Sequence, residues 1–255
     1  MSNQHKPVTI ITGAAGGIGM ALVKRLAGRG ERVALVDRDL AALQQVASRL
    51  ELGEDNSLLV VADVSCEDDV RNYVACTWER FGRIDALANN AGIEGSPALI
   101  EDQTVEMFDK VYAVNVRGAF MGLKYVLPVM KRQGKGAIVN MSSLAGISAG
   151  PTLSPYIMSK HAVIGLTRTA AAEAAADGIR VNAVLPGTIN TQMMRRIESE
   201  SGNAQAVHSA NTGATPMGRY GEPEEVAALV AFLLSDEASY ITSSLYTIDG
   251  GMSVF

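Results

Sequence analysis

Seven short runs of apolar and β-branched residues, most of them apolar on both faces, set the tightest limit on how this chain can fold. They span 8–12, 33–37, 58–62, 84–89, 137–141, 181–185 and 245–248. A strand with one wet face alternates apolar and polar residues. A strand without that alternation is covered on both sides, the condition of a parallel sheet under helices. Six stretches with helical patterning separate the runs, at 17–29, 40–50, 67–81, within 105–133, 154–177 and 223–234. Their ends are punctuated accordingly: Ser65 with Asp68 reads as an N-cap with an acidic first turn, and Glu222-Pro223 places proline where a helix starts. The pattern predicts an α/β fold, a doubly wound seven-stranded parallel sheet with helices on both faces. Ligands of such sheets bind beyond the carboxyl ends of the strands.

Nearly half of the 255 residues are hydrophobic, and no linker or change of composition divides them, so 1–255 reads as a single domain. A net charge of −5 without a Lys/Arg cluster argues against nucleic acid as a partner. No apolar segment approaches the roughly 20 residues that span a bilayer. The N-terminal stretch lacks a signal-peptide pattern, and Cys66 and Cys76, close together in one predicted helix, read as reduced thiols of a cytoplasmic protein. The alanines of 170–176 offer a small-residue face for close packing, against another subunit among the options.

The first run ends in Thr12-Gly13-Ala14-Ala15-Gly16-Gly17-Ile18-Gly19, directly before a helix. Glycines there allow a tight turn and close approach of a pyrophosphate, which the helix N-terminus stabilises. Asp37 ends the second run, 24 residues after Gly13. A carboxylate at that place hydrogen-bonds the ribose hydroxyls of NAD and repels the 2′-phosphate of NADP, or it caps the next helix. Arg38 beside it would tolerate NADP; NAD is the favoured cofactor. Asp63-Val64, after the third run, either contacts adenine or closes a turn.

Tyr156-Ile157-Met158-Ser159-Lys160 is the sharpest signal. On a helix, positions i and i+4 share a face, so the Lys160 ammonium would sit near the Tyr156 phenol, lower its pKa and make it an acid/base near neutral pH. Ser143 follows the fifth run at a carboxyl end. Asn115, polar among apolar neighbours, is either satisfied by backbone groups or anchors a water linking Lys160 to solvent.

With these residues in view, the chain resembles the short-chain dehydrogenase/reductase family along nearly its whole length. The matching pieces are TGAAGGIG at 12–19, Asp37, DV at 63–64, NNAG at 89–92, Asn115, NMSS at 140–143, YIMSK at 156–160 and PGTINT at 186–191. The resemblance implies a Rossmann fold and a catalytic tetrad of Asn115, Ser143, Tyr156 and Lys160, with Lys160 also holding the nicotinamide ribose. It implies cofactor contacts from Gly13, Gly17, Ile18, Gly19, Asp37, Asp63, Val64, Asn89, Ala91, Gly92, Tyr156, Lys160, Pro186, Gly187, Ile189 and Thr191, and a homotetramer. The expected reaction moves a hydride between NAD(H) and a secondary alcohol or ketone. Thr242-Ser243-Ser244 departs from the family, where a glycine often follows the threonine.

Three other readings compete. Gly146-Ile147-Ser148-Ala149-Gly150 matches a serine-hydrolase elbow, with His208 downstream, but Ser148 lies past the strand end in a loop. A nucleotide-binding protein without catalysis would have lost tetrad residues. A 3-oxoacyl-carrier-protein reductase would offer basic residues such as Lys131 and Arg132 near its entrance, where Asp177 opposes them. His5 and His161 have no metal-ligand company, and no metal is expected. The segment 190–218, rich in Gln, Met, Ser and Asn, reads as a substrate lid. Met193, Met194, Leu144, Leu153 and Leu185 are candidates for an apolar pocket, with Glu94 and Ser96 at its rim.

Overall fold

The computed structural model describes residues 6–254 apart from 201; His5 lies outside the described residues. Its strands are β1 (Val8–Thr12), β2 (Arg32–Asp37), β3 (Ser57–Val61), β4 (Ala86–Asn89), β5 (Gly136–Met141), β6 (Ile179–Pro186) and β7 (Leu245–Ile248). They form one seven-stranded sheet in the order β3-β2-β1-β4-β5-β6-β7 with every pair parallel. Strand order reverses between β1 and β4, and crevices open at the carboxyl ends of such strands.

Alternate residues of each strand feed opposite cores. Ile11, Leu35, Val139 and Val184 pack against Leu22 and Leu26 of α1 (Gly17–Gly28), Leu43 of α2 (Leu40–Arg49) and Val230 of α9 (Pro223–Leu234). Ile10, Val36, Leu87 and Ile138 pack against Tyr73 of α3 (Glu67–Phe81), Val126 of α5 (Gly118–Gln133) and Ala170 of α6 (Ser154–Ala174). Both faces are thus covered, which is why the strand sequences show little polar alternation. Ala170, Ala171 and Ala174 are buried in this second core, so the small-residue face of α6 packs inward on the chain's own sheet.

Four local expectations are corrected. The N-cap of α3 is Cys66, without a side-chain bond, because the Ser65 hydroxyl and amide both donate to Asp63 Oδ1. Strand β4 starts two residues later than its apolar run, because the Gln133 side chain takes both backbone polar groups of Ile84. The stretch 105–133 is not continuous: α4 (Val105–Tyr112) meets α5 through a π turn over Ala113–Arg117 centred on Asn115. The segment after β6 holds two helices, α7 (Gln192–Glu200) and α8 (Ala204–Ala214). At α9 the expectation holds, with a capping box between Glu222 and Glu225 and Pro223 in the first turn. No helix among the described residues is long and apolar enough to cross a membrane.

Candidate active site

The β1–α1 turn is packed too closely for side chains. Gly13 has φ +65°, and a Cβ there would stand 2.9 Å from Ala91 Cα; a Cβ on Gly19 would stand 2.1 Å from the Gly13 carbonyl oxygen. Asn90 braces the turn, its Nδ2 donating to the carbonyls of Thr12 and Gly13 at 3.0 and 3.1 Å. Helix α1 has a glycine N-cap, no side-chain cap and no acid in its first turn, so its first amides suit an anion. Asp37 does not cap α2, whose cap is Asp39. Instead Asp37 Oδ2 accepts from the Ala15 amide of the glycine turn at 3.1 Å, and Oδ1 from the Arg38 amide. The Asp63 carboxyl is held below its usual range, chiefly by the Ser65 hydroxyl.

Across the crevice, β5 delivers Ser143 and α6 delivers Tyr156 and Lys160. Ser143 Oγ accepts from the Ala145 amide at 3.1 Å, which leaves its own proton free to point into the cavity that it lines with Tyr156. Lys160 is buried; its Nζ donates to the Met141 carbonyl at 2.9 Å and lies 5.4 Å from the Tyr156 ring centroid. Burial pulls the Lys160 pKa down to about 8. Burial also raises the Tyr156 phenol above its ordinary value; the polar Ser143 side chain opposes this and the charge of Glu94 adds to it. That corrects the expectation of a phenol lowered by Lys160: the helix brings the two together, yet desolvation of the phenol outweighs its polar contacts.

The Asn115 side chain is satisfied by protein groups. Its Oδ1 accepts from the Ile93 amide at 2.8 Å, and its Nδ2 donates to the Ile93 carbonyl at 2.8 Å and to Ser159 Oγ at 2.9 Å. It ties the loop after β4 to α6.

One cavity of about 1310 Å³ joins these groups. Gly13, Gly17, Ile18, Asp37, Asp63, Val64, Ala91, Gly92, Ser143, Tyr156, Lys160, Pro186, Gly187, Ile189 and Thr191 line it. Gly19, Asn89 and Asn115 stand behind the wall. Asn89 donates to Asn140 Oδ1 at 2.8 Å and fastens β4 to β5. At the substrate end, Leu144, Leu153, Met193, Met194 and Glu94 line the cavity, whereas Leu185 is fully buried in the core with Ile164 and Ala183. The Ser96 carbonyl accepts from Gln103 Nε2 instead. Roles for Ser159 and Arg196 escaped the sequence reading; Ser159 lay within the YIMSK motif without a role of its own, and nothing local marked Arg196. Ser148 is exposed and its hydroxyl donates to the Leu144 carbonyl, which is not the strained strand-to-helix turn of a hydrolase elbow.

A doubly wound sheet with a glycine cradle at its switch point and a Ser/Tyr/Lys group facing it defines a nucleotide-dependent enzyme class. A family model described as enoyl-(acyl carrier protein) reductase matches residues 13–253. The chain is 45% identical to levodione reductase of Leifsonia aquatica, covering 96% of this chain and 94% of that one. It is 41% identical to 2-(R)-hydroxypropyl-CoM dehydrogenase of Xanthobacter autotrophicus, covering 95% and 97%. Among solved structures, levodione reductase superposes with a TM-score of 0.94 at 44% identity, covering 97% of this chain and 98% of that one. Xylitol dehydrogenase with NAD⁺ bound superposes at 0.92 and 36% identity, covering 98% and 100%. ElxO with NADP bound superposes at 0.91 and 32% identity, also covering 98% and 100%. The chain belongs to the short-chain dehydrogenase/reductase family; it is an oxidoreductase of a family that binds nicotinamide cofactors.

Proposed function

We propose that the protein is an NAD-dependent dehydrogenase that oxidises a small secondary alcohol to its ketone and runs the reverse reduction, acting through Ser143, Tyr156 and Lys160. The observation that carries this reading is the convergence of Ser143, Tyr156 and the buried Lys160 on the cavity that the glycine turn also lines. Gly13, Gly17, Asp37 and Thr191 line the cavity and fit a dinucleotide, since the bare glycines leave the turn's backbone open to a pyrophosphate. A nicotinamide held there would supply the hydride acceptor for oxidation and the hydride donor for reduction. The chain's own residues handle the proton and the geometry. Tyr156 takes the proton of the substrate hydroxyl as the carbonyl forms. Ser143 donates toward the phenol and substrate oxygens. The Lys160 charge, fixed by the Met141 carbonyl, stabilises the phenolate. Asn115 positions the loop after β4 against α6.

Asp37, turned toward the glycine turn, supports NAD over NADP because its charge opposes a 2′-phosphate. Helices α7 and α8 read as the lid over the substrate, within a single catalytic domain. A carrier-protein partner is disfavoured because Lys131 Nζ is paired with Asp177 at 2.9 Å. Half-exposed Phe120 on α5 and Met158 on α6 support a homotetramer, and the free thiols of Cys66 and Cys76 a cytoplasmic setting. The test is a nicotinamide absorbance assay of the purified protein with NAD and NADP separately, over a panel of secondary alcohols and hydroxyacyl thioesters. NAD-linked turnover of simple alcohols supports the reading. Preference for thioesters with NADPH would favour a carrier-protein reductase, and cofactor binding without turnover a binding protein.

A further inference from the structure

The substrate end of the cavity is apolar along Leu144, Leu153, Met193, Met194 and Ile197, yet Glu94 stands in its wall with a side chain only 7% exposed. The carboxylate is not free to swing away. Asn115 grips both backbone polar groups of the preceding residue, Ile93, at 2.8 Å each. Glu94 Oε1 accepts from Nε and Nη2 of Arg196 on α7. Glu94 Oε2 is buried and has no hydrogen-bond partner.

A buried acceptor without a donor is costly, more so when it is charged. Among the described residues no protein group supplies that donor, and Glu94 lines the cavity, so the remaining source is what occupies the cavity. The terminal torsion of a glutamate is soft, and a small rotation turns Oε2 toward the cavity while Oε1 keeps Arg196. The donor has to be neutral. Arg196 already balances the carboxylate, so a cation would bring unpaired charge into an apolar cavity, and an anion would face a second negative group.

We propose that Glu94 is a specificity-determining residue that accepts a hydrogen bond from a second hydroxyl of the substrate, so that the preferred substrates are diols and hydroxyketones rather than simple alcohols. The inference rests on the alcohol dehydrogenase reading above and names the substrate class within it. Acceptors lacking a hydroxyl proton, such as ethers, are disfavoured at this position by lone-pair repulsion from Oε2.

The test compares secondary mono-alcohols, the corresponding diols with hydroxyls one to three carbons apart, and the monomethyl ethers of those diols. The readout is the kcat/KM ratio of diol to monomethyl ether. For the wild type the ratio at the best spacing is expected on the order of tenfold to a hundredfold, as for a hydrogen bond to a charged group. Glu94→Gln places an N–H where Oε2 was and accepts an ether as readily as a hydroxyl, so its ratio falls toward one. Glu94→Ala flattens it as well, and melting curves report whether each variant folds. A wild-type ratio near one at every spacing, or a Glu94→Gln ratio equal to that of the wild type, overturns the proposal. Wild-type turnover of mono-alcohols without any diol preference overturns it while leaving the dehydrogenase reading intact. Absence of turnover on every alcohol removes that reading, and this inference with it.

Discussion

Tyr156 and Lys160 are displaced from their ordinary titration ranges in opposite directions by one cause. Burial penalises whichever form is charged, so the phenol goes up and the ammonium comes down to about 8. In the proposed mechanism, alcohol oxidation needs Tyr156 without its proton. Its kcat/KM is therefore expected to rise with pH along an alkaline limb, while ketone reduction, which needs the protonated phenol, falls over the same range. Pre-steady-state rates in both directions against pH check this. Lys160 also links pH to stability. The folded chain releases this proton near pH 8 and the unfolded chain near the ordinary 10.5, so between these values the unfolded state holds more protons and folded stability rises with pH. Melting the wild type beside Lys160→Met at pH 7 and pH 10 is expected to show the wild type gaining relative to the variant as pH climbs. Asp37 gives a third residue-level expectation. Asp37→Asn removes the charge that opposes a 2′-phosphate, and the NAD-to-NADP ratio of kcat/KM is expected to fall at least about tenfold.

At the scale of elements, the grouping of most candidate-site residues around one cavity was legible in sequence because turns and strand ends are written in local residue types. The glycine turn, Asp37 and the Tyr/Lys spacing each depend on neighbours a few positions away. What was not legible depends on partners far along the chain. Gln133 holds Ile84 and so delays β4, and Asn115 reaches Ile93 and Ser159 through a π turn that no local pattern announces. The buried relay from Asn89 to Asn140 to Thr167 joins β4, β5 and α6 in the same long-range way. Asn140→Leu would strand one of the two Asn89 side-chain N–H groups in the core, the other keeping the Ala119 carbonyl, and is expected to destabilise by about 2 kcal/mol, measurable by urea unfolding. The departure at Ser243 has a local cost. This residue sits at φ +60°, just before β7, in the left-handed region that glycine occupies freely. Relief of that strain outweighs the added freedom of a glycine in the unfolded chain, so Ser243→Gly is expected to stabilise by about 0.5–1 kcal/mol, read as a higher Tm.

At the scale of the whole molecule, strand order places chemistry from distant parts of the chain at one opening. The glycine turn follows β1, Asp37 ends β2, Ser143 follows β5, and the residues after β6 close the cavity from above. The sheet and its covering were readable from doubly apolar strands. The paired helices of 190–218 were missed although α7 is strongly amphipathic and Asn203 caps α8; Arg196 with Glu94 and Tyr220 with Glu198 fasten α7 to distant parts of the chain. The central claim is that Tyr156 moves the proton while a bound nicotinamide moves the hydride. Its most direct test compares wild type and Tyr156→Phe under saturating NAD with the best secondary alcohol, with NADH binding followed by fluorescence. Loss of about 10²–10⁴-fold in kcat, with cofactor affinity within a few-fold of wild type, is the expected result. Turnover by Tyr156→Phe within a few-fold of the wild type would contradict it.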